Sequence, residues 1–409
     1  MKILFVTEQY TPTVGGAIVA TQQLMKGLVQ QGHEVGIVTI SPHIWGGPSG
    51  KPDETGAMAY RCMSVPAIVN PKANYMTIFP WLTVPYVMLK MRPDCIHMMT
   101  PFAFSHLLVL WWARLLKIPI VSTNHVMPEN AVKTFKHWPM NRVTQYVSHL
   151  TWRNIMLCMR VADFVTAPTP TALKMLQDHG LQKPSKAISN GIDAHYYRPG
   201  SVNKTTLEQL GLHYEPGTTL LYVGRLDEEK HLEILVAAMP AIVQKLPTAH
   251  LVLVGSGVCA NPLRQQAVRL GVNEHVTLTG RVSDKVKRDL LRCADIFVTP
   301  SPAELQCIAG LEALACGLPI IAANVAALKE LCQDGKNGFL FSYPDAQDFA
   351  NKAVCLLSDE SLRHQFGKQS REWIIEHHEL DAVIHQYAKV YHEAIRLRRA
   401  ALLPQDGDV

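Results

Sequence analysis

At 409 residues, 48% hydrophobic, 18% charged and formally +5, the chain has material for two domains with full cores and the composition of an ordinary globular protein. Nine cysteines, odd in number and without a C-x-x-C pair, suggest free thiols in a reducing compartment. The first apolar run is interrupted by Glu8 and reads as a strand rather than a signal peptide, and runs 78–91 and 102–116 fall short of the ~20 residues that span a bilayer.

In chain order, Met1-Lys2-Ile3-Leu4-Phe5-Val6-Thr7 reads as a first strand, followed by Val14-Gly15-Gly16, a helix through Leu28, and Gly32-His33-Glu34-Val35. Further apolar runs at 34–40, 94–98, 119–123 and 163–167 alternate with helical or looped segments, the pattern of a parallel α/β sheet. The second half repeats it at 218–223, 250–254, 275–279, 295–299 and 318–323. Each half is therefore expected to be one doubly wound, Rossmann-like domain, 1–195 and 196–377. The hinge is placed near 193–202, where Tyr197-Arg198-Pro199-Gly200-Ser201 breaks the pattern, and a flexible tail at 401–409. Ligands on such sheets bind beyond the carboxyl ends of the strands, and the turns at Gly15-Gly16 and Gly224 come just past strand ends.

Charge is uneven. Residues 55–162 hold eleven basic and two acidic side chains, and the same stretch carries Trp81, Trp111, Trp112, Trp138 and Trp152. Basic residues beside aromatics can hold a protein on an anionic membrane surface without spanning it; tryptophans in the core and a solvated basic face are the alternative. No nucleic-acid recognition motif accompanies the charge.

The most pointed feature is Glu304 and Glu312, eight positions apart. Asp295-Ile296-Phe297-Val298-Thr299 reads as a buried strand ending at Pro300 and Pro302, and a helix is expected from about Cys307 to the stop at Gly317 and Pro319. That puts Glu304 in the loop and Glu312 about two helical turns on, among Leu311, Ala313, Leu314 and Ala315, where an ionised carboxylate needs a partner. Between them the amides of Cys307, Ile308 and Ala309 open a helix N-terminus, a ready phosphate site. A nucleotide-sugar fits this order, with sugar near Glu304, diphosphate near Ile308 and ribose near Glu312. A capping glutamate plus a solvated helix glutamate is the plainer alternative.

The E-x7-E block, ending in Ala-Cys-Gly-Leu-Pro-Ile-Ile-Ala, resembles family four of the retaining glycosyltransferases. Four further stretches match in the family's order: Ile188-Ser189-Asn190-Gly191-Ile192-Asp193, Gly224-Arg225 through Lys230, Leu253-Val254-Gly255-Ser256-Gly257 and Leu278-Thr279-Gly280-Arg281-Val282. The resemblance implies the GT-B fold: two Rossmann-like domains facing a cleft, with a final helix at about 378–400 returning to the first. It implies transfer of a hexosyl unit from a nucleoside-diphosphate sugar with retention, by front-face attack, with no metal or other cofactor required. It assigns Glu304 and His125 to the reaction. Gly15, Gly16, Arg225, Lys230, Val282, Cys307, Ile308, Ala309 and Glu312 go to the donor.

Thr123-Asn124-His125-Val126-Met127-Pro128-Glu129-Asn130 is similar to the stretch in members that glycosylate membrane lipids such as diacylglycerol, which assigns Asn124, Glu129 and Asn130 to the acceptor region. His125 then either bonds a sugar hydroxyl or stands near the acceptor. The implied donor is UDP-glucose or a similar UDP-hexose, and the implied location is cytoplasmic, peripheral on the membrane's inner face. A GDP-mannose-dependent mannosyltransferase or a soluble sugar acceptor is the alternative within the family. Leu305-Gln306-Cys307 stands where many relatives have Gly-Phe-Gly, His231 where Gly is more usual, and Glu304-Leu305-Gln306 matches glycolipid-making members. A dinucleotide-dependent oxidoreductase using Gly255-x-Gly257, with Glu274 on a ribose, is the alternative of a different class; Asn261-Pro262 as helix start would come too late for it.

Overall fold

The computed structural model describes residues 1–7, 10, 15–40, 50–62, 64–66, 75–77, 80–99, 104–127, 141–201 and 217–403. They fall into two compact units, Met1–Gly191 with Leu380–Val409, and Ile192–Glu379.

In the first unit the chain forms β1 (Lys2–Val6), α1 (Gly16–Gln30), β2 (Glu34–Ile40), β3 (Lys51–Pro52), β4 (Met58–Cys62) and a separate antiparallel pair, β5 (Ser64–Pro66) with β6 (Tyr75–Thr77). Then follow α2 (Pro80–Met91), β7 (Cys95–Met99), α3 (Phe104–Leu115), β8 (Ile120–Thr123), α4 (Asn141–Val161), β9 (Phe164–Ala167), α5 (Pro170–Asp178) and β10 (Ser185–Ala187). The eight-stranded sheet runs β10-β9-β8-β7-β1-β2-β4-β3, parallel except for the antiparallel edge strand β3. β1 lies at its centre, with Ile3 opposite both Val35 and Cys95. Ile3, Leu4, Phe5 and Val6 are all buried, as expected of a strand covered on both faces.

The second unit contains β11 (Thr219–Val223), α6 (Glu233–Lys245), β12 (His250–Val254), α7 (Ala260–Arg269), β13 (Val276–Gly280), α8 (Asp284–Cys293) and β14 (Ile296–Thr299). It continues through α9 (Ile308–Ala315), β15 (Ile320–Ala323), α10 (Leu328–Leu331), β16 (Gly338–Phe341), α11 (Ala346–Ser358) and α12 (Glu360–His377). Its all-parallel sheet has the order β13-β12-β11-β14-β15-β16, so the winding reverses between β11 and β14. The crevice at the carboxyl ends of that strand pair is where such a sheet takes its ligand.

The last helix, α13 (Leu380–Leu402), belongs to the first unit. Val383, Ile384, Tyr387, Val390, Tyr391 and Ala394 repeat at helical spacing and are buried in that unit's core. Burying each of the larger ones is worth roughly 1.5–3 kcal/mol. Gly27 of α1 allows the close approach, since a Cβ there would lie 1.9 Å from Ile384 Cδ1. Beneath the helix, His97 is fully buried and bonded through Nδ1 to the Tyr391 hydroxyl (2.9 Å) and through Nε2 to Thr123 Oγ1 (2.6 Å), a structural role.

Two sequence expectations shift. α9 begins at Ile308, so Glu312 lies one turn into the helix rather than two, while Glu304 is in the loop as expected. α7 begins at Ala260, ahead of Asn261-Pro262, because proline is tolerated anywhere in a first turn, where its missing N–H has no intrahelical partner. Glu129, Asn130, Val14, Trp138, Val202 and the tail from 404 lie outside the described residues.

Candidate active site

The loop after β11 and the loop after β14, with the α9 it leads into, carry most of the assigned donor residues and meet at the reversal point of the second sheet. Two glycines of the loop after β12 let the first of these sit where it does. Gly255 has φ +137°, and a Cβ on it would lie 1.8 Å from the Gly224 carbonyl oxygen; one on Gly257 would lie 2.3 Å from that of Leu226. The loops are stitched together by Leu226 N–H donating to the Ser256 carbonyl (3.0 Å) and Cys259 N–H to that of Leu226 (2.8 Å). The glycine pair that matched a dinucleotide motif thus serves backbone packing against Gly224–Asp227.

From this platform Lys230, at the end of the 3-10 turn Glu228–Lys230, reaches Glu304, with Nζ 2.7 Å from Oε1 and both side chains largely buried. Burial disfavours the Lys230 ammonium, but the Glu304 carboxylate, with Glu229 beyond it, leaves its pKa above the ordinary value. Arg225 remains more exposed and is paired with Asp227 and Glu229.

Past Glu304 the chain turns into α9 at Cys307. There the Cys307 sulfur takes the Gly310 N–H, leaving the amides of Ile308 and Ala309 at the helix start. Burial pushes the Cys307 thiol up to about 12, so it stays protonated. Glu312 is 3% exposed, and its partners are protein groups: Lys287 Nζ of α8 at 2.7 Å from Oε1, and the Tyr197 hydroxyl. Burial raises its pKa, while Lys287 and Tyr197 act to lower it. Val282, just past β13, is half-buried against the same core.

The remaining assigned residues belong to the first unit. Gly15 and Gly16 begin α1, where the Gly15 carbonyl accepts from Ile18 and Val19. Asn124 is buried at the end of β8, its N–H donating to Thr166 O (3.0 Å) and its side chain closing a turn with Val126. His125 follows it; burial lowers its pKa to about 4, so the ring is neutral near pH 7, and Nε2 has no hydrogen-bond partner among the described residues. Sequence reasoning missed Lys287 and Tyr197. Lys287 shows in sequence only as one of several charges on an amphipathic helix.

The strand order, the Gly-Arg loop and the two-glutamate segment together define a GT-B glycosyltransferase. Two family models match in succession, Glycosyltransferase Family 4 over residues 14–196 and Glycosyl transferases group 1 over residues 203–373. The chain belongs to glycosyltransferase family four. It is 26% identical over 346 residues to alpha-monoglucosyldiacylglycerol synthase of Streptococcus pneumoniae, covering 83% of this chain and 75% of the relative. It is also 26% identical over 404 residues to N-acetyl-alpha-D-glucosaminyl L-malate synthase of Bacillus anthracis, covering 94% and 96%. Among solved structures, sucrose-phosphate synthase from Thermosynechococcus elongatus superposes with a TM-score of 0.77 at 22% identity, over 97% of this chain and 99% of that one, which shows the fold.

Proposed function

We propose that this glycosyltransferase moves a hexosyl unit from a UDP-hexose such as UDP-glucose to a hydroxyl of a membrane lipid of the diacylglycerol type, with retention of configuration. The observation that carries the donor half is the Lys230–Glu304 pair at the winding reversal of the second sheet. Transfer needs charge stabilised on the departing diphosphate more than it needs a strong base. Arg225 presents a planar fork and Lys230 a point charge for that diphosphate, and the α9 amides of Ile308 and Ala309 add neutral donors. Gly15 and Gly16 are assigned to the donor as well, the backbone near Val282 to its base, Glu312 to its ribose and Glu304 to the transferred sugar. Attack comes from the leaving-group face, and a phosphate oxygen takes the acceptor's proton. Asn124 and His125 are assigned to the acceptor and sugar. The reading requires no cofactor beyond the donor.

The lipid acceptor rests on the surface of the first unit. Apart from Leu402 and Leu403 near the chain's end, its exposed large hydrophobics among the described residues all lie on α2, α3 and α4: Tyr86, Leu89, Trp111, Leu115, Tyr146, Leu150 and Leu157. α2 packs on α3 and α3 on α4, and Lys90, Arg114 and Arg153 are exposed among these side chains. Interfacial aromatics with interspersed cations suit an anionic lipid surface, and among the described residues no helix is long and apolar enough to cross a membrane. The pneumococcal relative is named for a glucosyl lipid; the Bacillus relative, matched over nearly its whole length, is named for a malate product and favours a soluble acceptor as the second reading. Mass spectrometry of products from UDP-glucose, UDP-galactose and GDP-mannose offered with diacylglycerol vesicles or with soluble hydroxy acids and sugars decides between them. A hexosyl lipid supports the proposal, and a glycosylated soluble acceptor with unmodified lipid refutes it.

A further inference from the structure

Glu312 sits in a helix that is buried all round over this stretch, its neighbours Gly310, Leu311, Ala313, Leu314 and Ala315 being buried as well. A carboxylate in such a place stays charged only if the protein supplies partners from elsewhere. Two are present. Lys287 comes from α8, is itself largely buried, is 3.3 Å from Asp284 on its own helix and stands over the Tyr197 ring at 5.3 Å. Tyr197 comes from the segment that opens the second unit and gives Glu312 its hydroxyl. That segment is fixed in turn: Arg371 of α12 donates to the carbonyls of Ala194, Tyr197 and Ala315, each at 2.8 Å, tying Tyr197 to the C-terminal end of α9.

We infer that Lys287 is a positioning residue for donor affinity: it keeps the Glu312 carboxylate ionised and aimed, so that Glu312 can accept two hydrogen bonds from vicinal hydroxyls. The inference rests on the reading that Glu312 holds the ribose. An ionised carboxylate accepts through both oxygens, and with Lys287 on Oε1 and the Tyr197 hydroxyl also donating to it the group cannot rotate away. Protonated, it would present a donor toward hydroxyls and lose the charge assistance. The groups that act on Glu312 are Lys287 and Asp284 from α8, Tyr197 from the entry segment, and the thiols of Cys307 and Cys316 at the two ends of α9. Of these only Lys287 is a cation. Burial already raises the Glu312 pKa and Lys287 is the main opposing influence, so removing the ammonium raises it further.

The test is UDP affinity by calorimetry between about pH 7 and about pH 9, with donor kinetics alongside. For the wild-type protein the affinity is expected to be flat over this range. Lys287→Met should bind UDP about tenfold more weakly at the lower end and recover as pH rises, since losing a charge-assisted hydrogen bond costs on that order. The loss should appear mainly in donor KM, and Lys287→Arg should restore a flat profile. If Lys287→Met does not fold, Lys287→Gln replaces it with the same expectation. A Lys287→Met protein with wild-type affinity throughout, or with an equal loss at every pH that arginine does not repair, overturns the inference. Glu312→Gln separates the layers: unchanged UDP affinity in that variant overturns the ribose reading itself, whereas a loss there without one in Lys287→Met overturns only the role of Lys287.

Discussion

The Nζ of Lys230 lies 2.7 Å from Oε1 of Glu304, joining two residues 74 positions apart in sequence at the ends of neighbouring strands. The pairing fixes Glu304 beside a cation, and on the proposed reading, with Lys230 on the diphosphate, the carboxylate acts where sugar and leaving group separate. Glu304→Gln keeps the shape and a hydrogen bond but removes the charge. It is expected to lower turnover by on the order of 10²-fold while leaving UDP affinity within a few-fold of wild type. Steady-state kinetics with UDP calorimetry checks this, and undiminished turnover would remove Glu304 from the reaction.

The loop carrying Arg225 and Lys230 depends on Gly257. A methyl group there would lie 2.3 Å from the Leu226 carbonyl oxygen and 2.6 Å from Asp227 Oδ1, so the Arg225-bearing backbone must move. Gly257→Ala is expected to cost about 1–3 kcal/mol of stability and to weaken UDP binding together with it. Thermal unfolding and calorimetry on the same sample read both; an alanine variant with wild-type UDP affinity would show that the loop's position does not matter to the donor.

On the first unit, the exposed Trp111 and Leu115 of α3 lie one helical turn apart, with Arg114 beside them. Liposome flotation is expected to fall for Trp111→Ser and Leu115→Ser on any lipid, and for Arg114→Gln only on anionic vesicles, by about 1 kcal/mol for the lost cation and less at high salt. Equal flotation of all variants would show that this face does not meet the membrane.

His97 is buried and His125 partly buried, both without charge, their pKa values lowered from 6.5 to about 3 and about 4, chiefly by burial. A base whose folded pKa is depressed binds protons more readily when unfolded. The stability of the first unit is therefore complete above 6.5 and is lost as pH falls from there toward the folded values, by about 1.4 kcal/mol per pH unit for each histidine. Asp163 and Glu312 have raised pKa values and act in the opposite sense, so the readout is a difference between proteins. His97→Gln, expected to be less stable near neutrality because it disturbs the Tyr391 and Thr123 bonds, should show an unfolding free energy that falls less steeply below pH 6.5. An unchanged slope would contradict the buried neutral ring.

Much of this was legible in the sequence because the information is local. Runs such as His250–Val254 and Ile296–Phe297-Val298-Thr299 are continuous apolar strands bounded by turn residues, and a parallel sheet buries them on both faces. β4, β10 and β16 were not foreseen: Arg61, Lys186 or an initial Gly338 interrupts the apolar pattern, and β10 has only three residues. In the site, the glutamate spacing marked Glu304 and Glu312, and the Gly-Arg loop marked Arg225 and Lys230. The partner of Glu312 was not legible. Lys287 is 25 residues away, and only the packing of α8 against the buried carboxylate singles it out from the other charges on that helix.

Release of UDP from UDP-glucose, followed with and without diacylglycerol vesicles, tests the central claim most directly. The account predicts UDP release that depends on the lipid, is matched by glucosyl lipid formed, and is lost in Glu304→Gln. Release that ignores the lipid, or that requires a soluble acceptor instead, would contradict it.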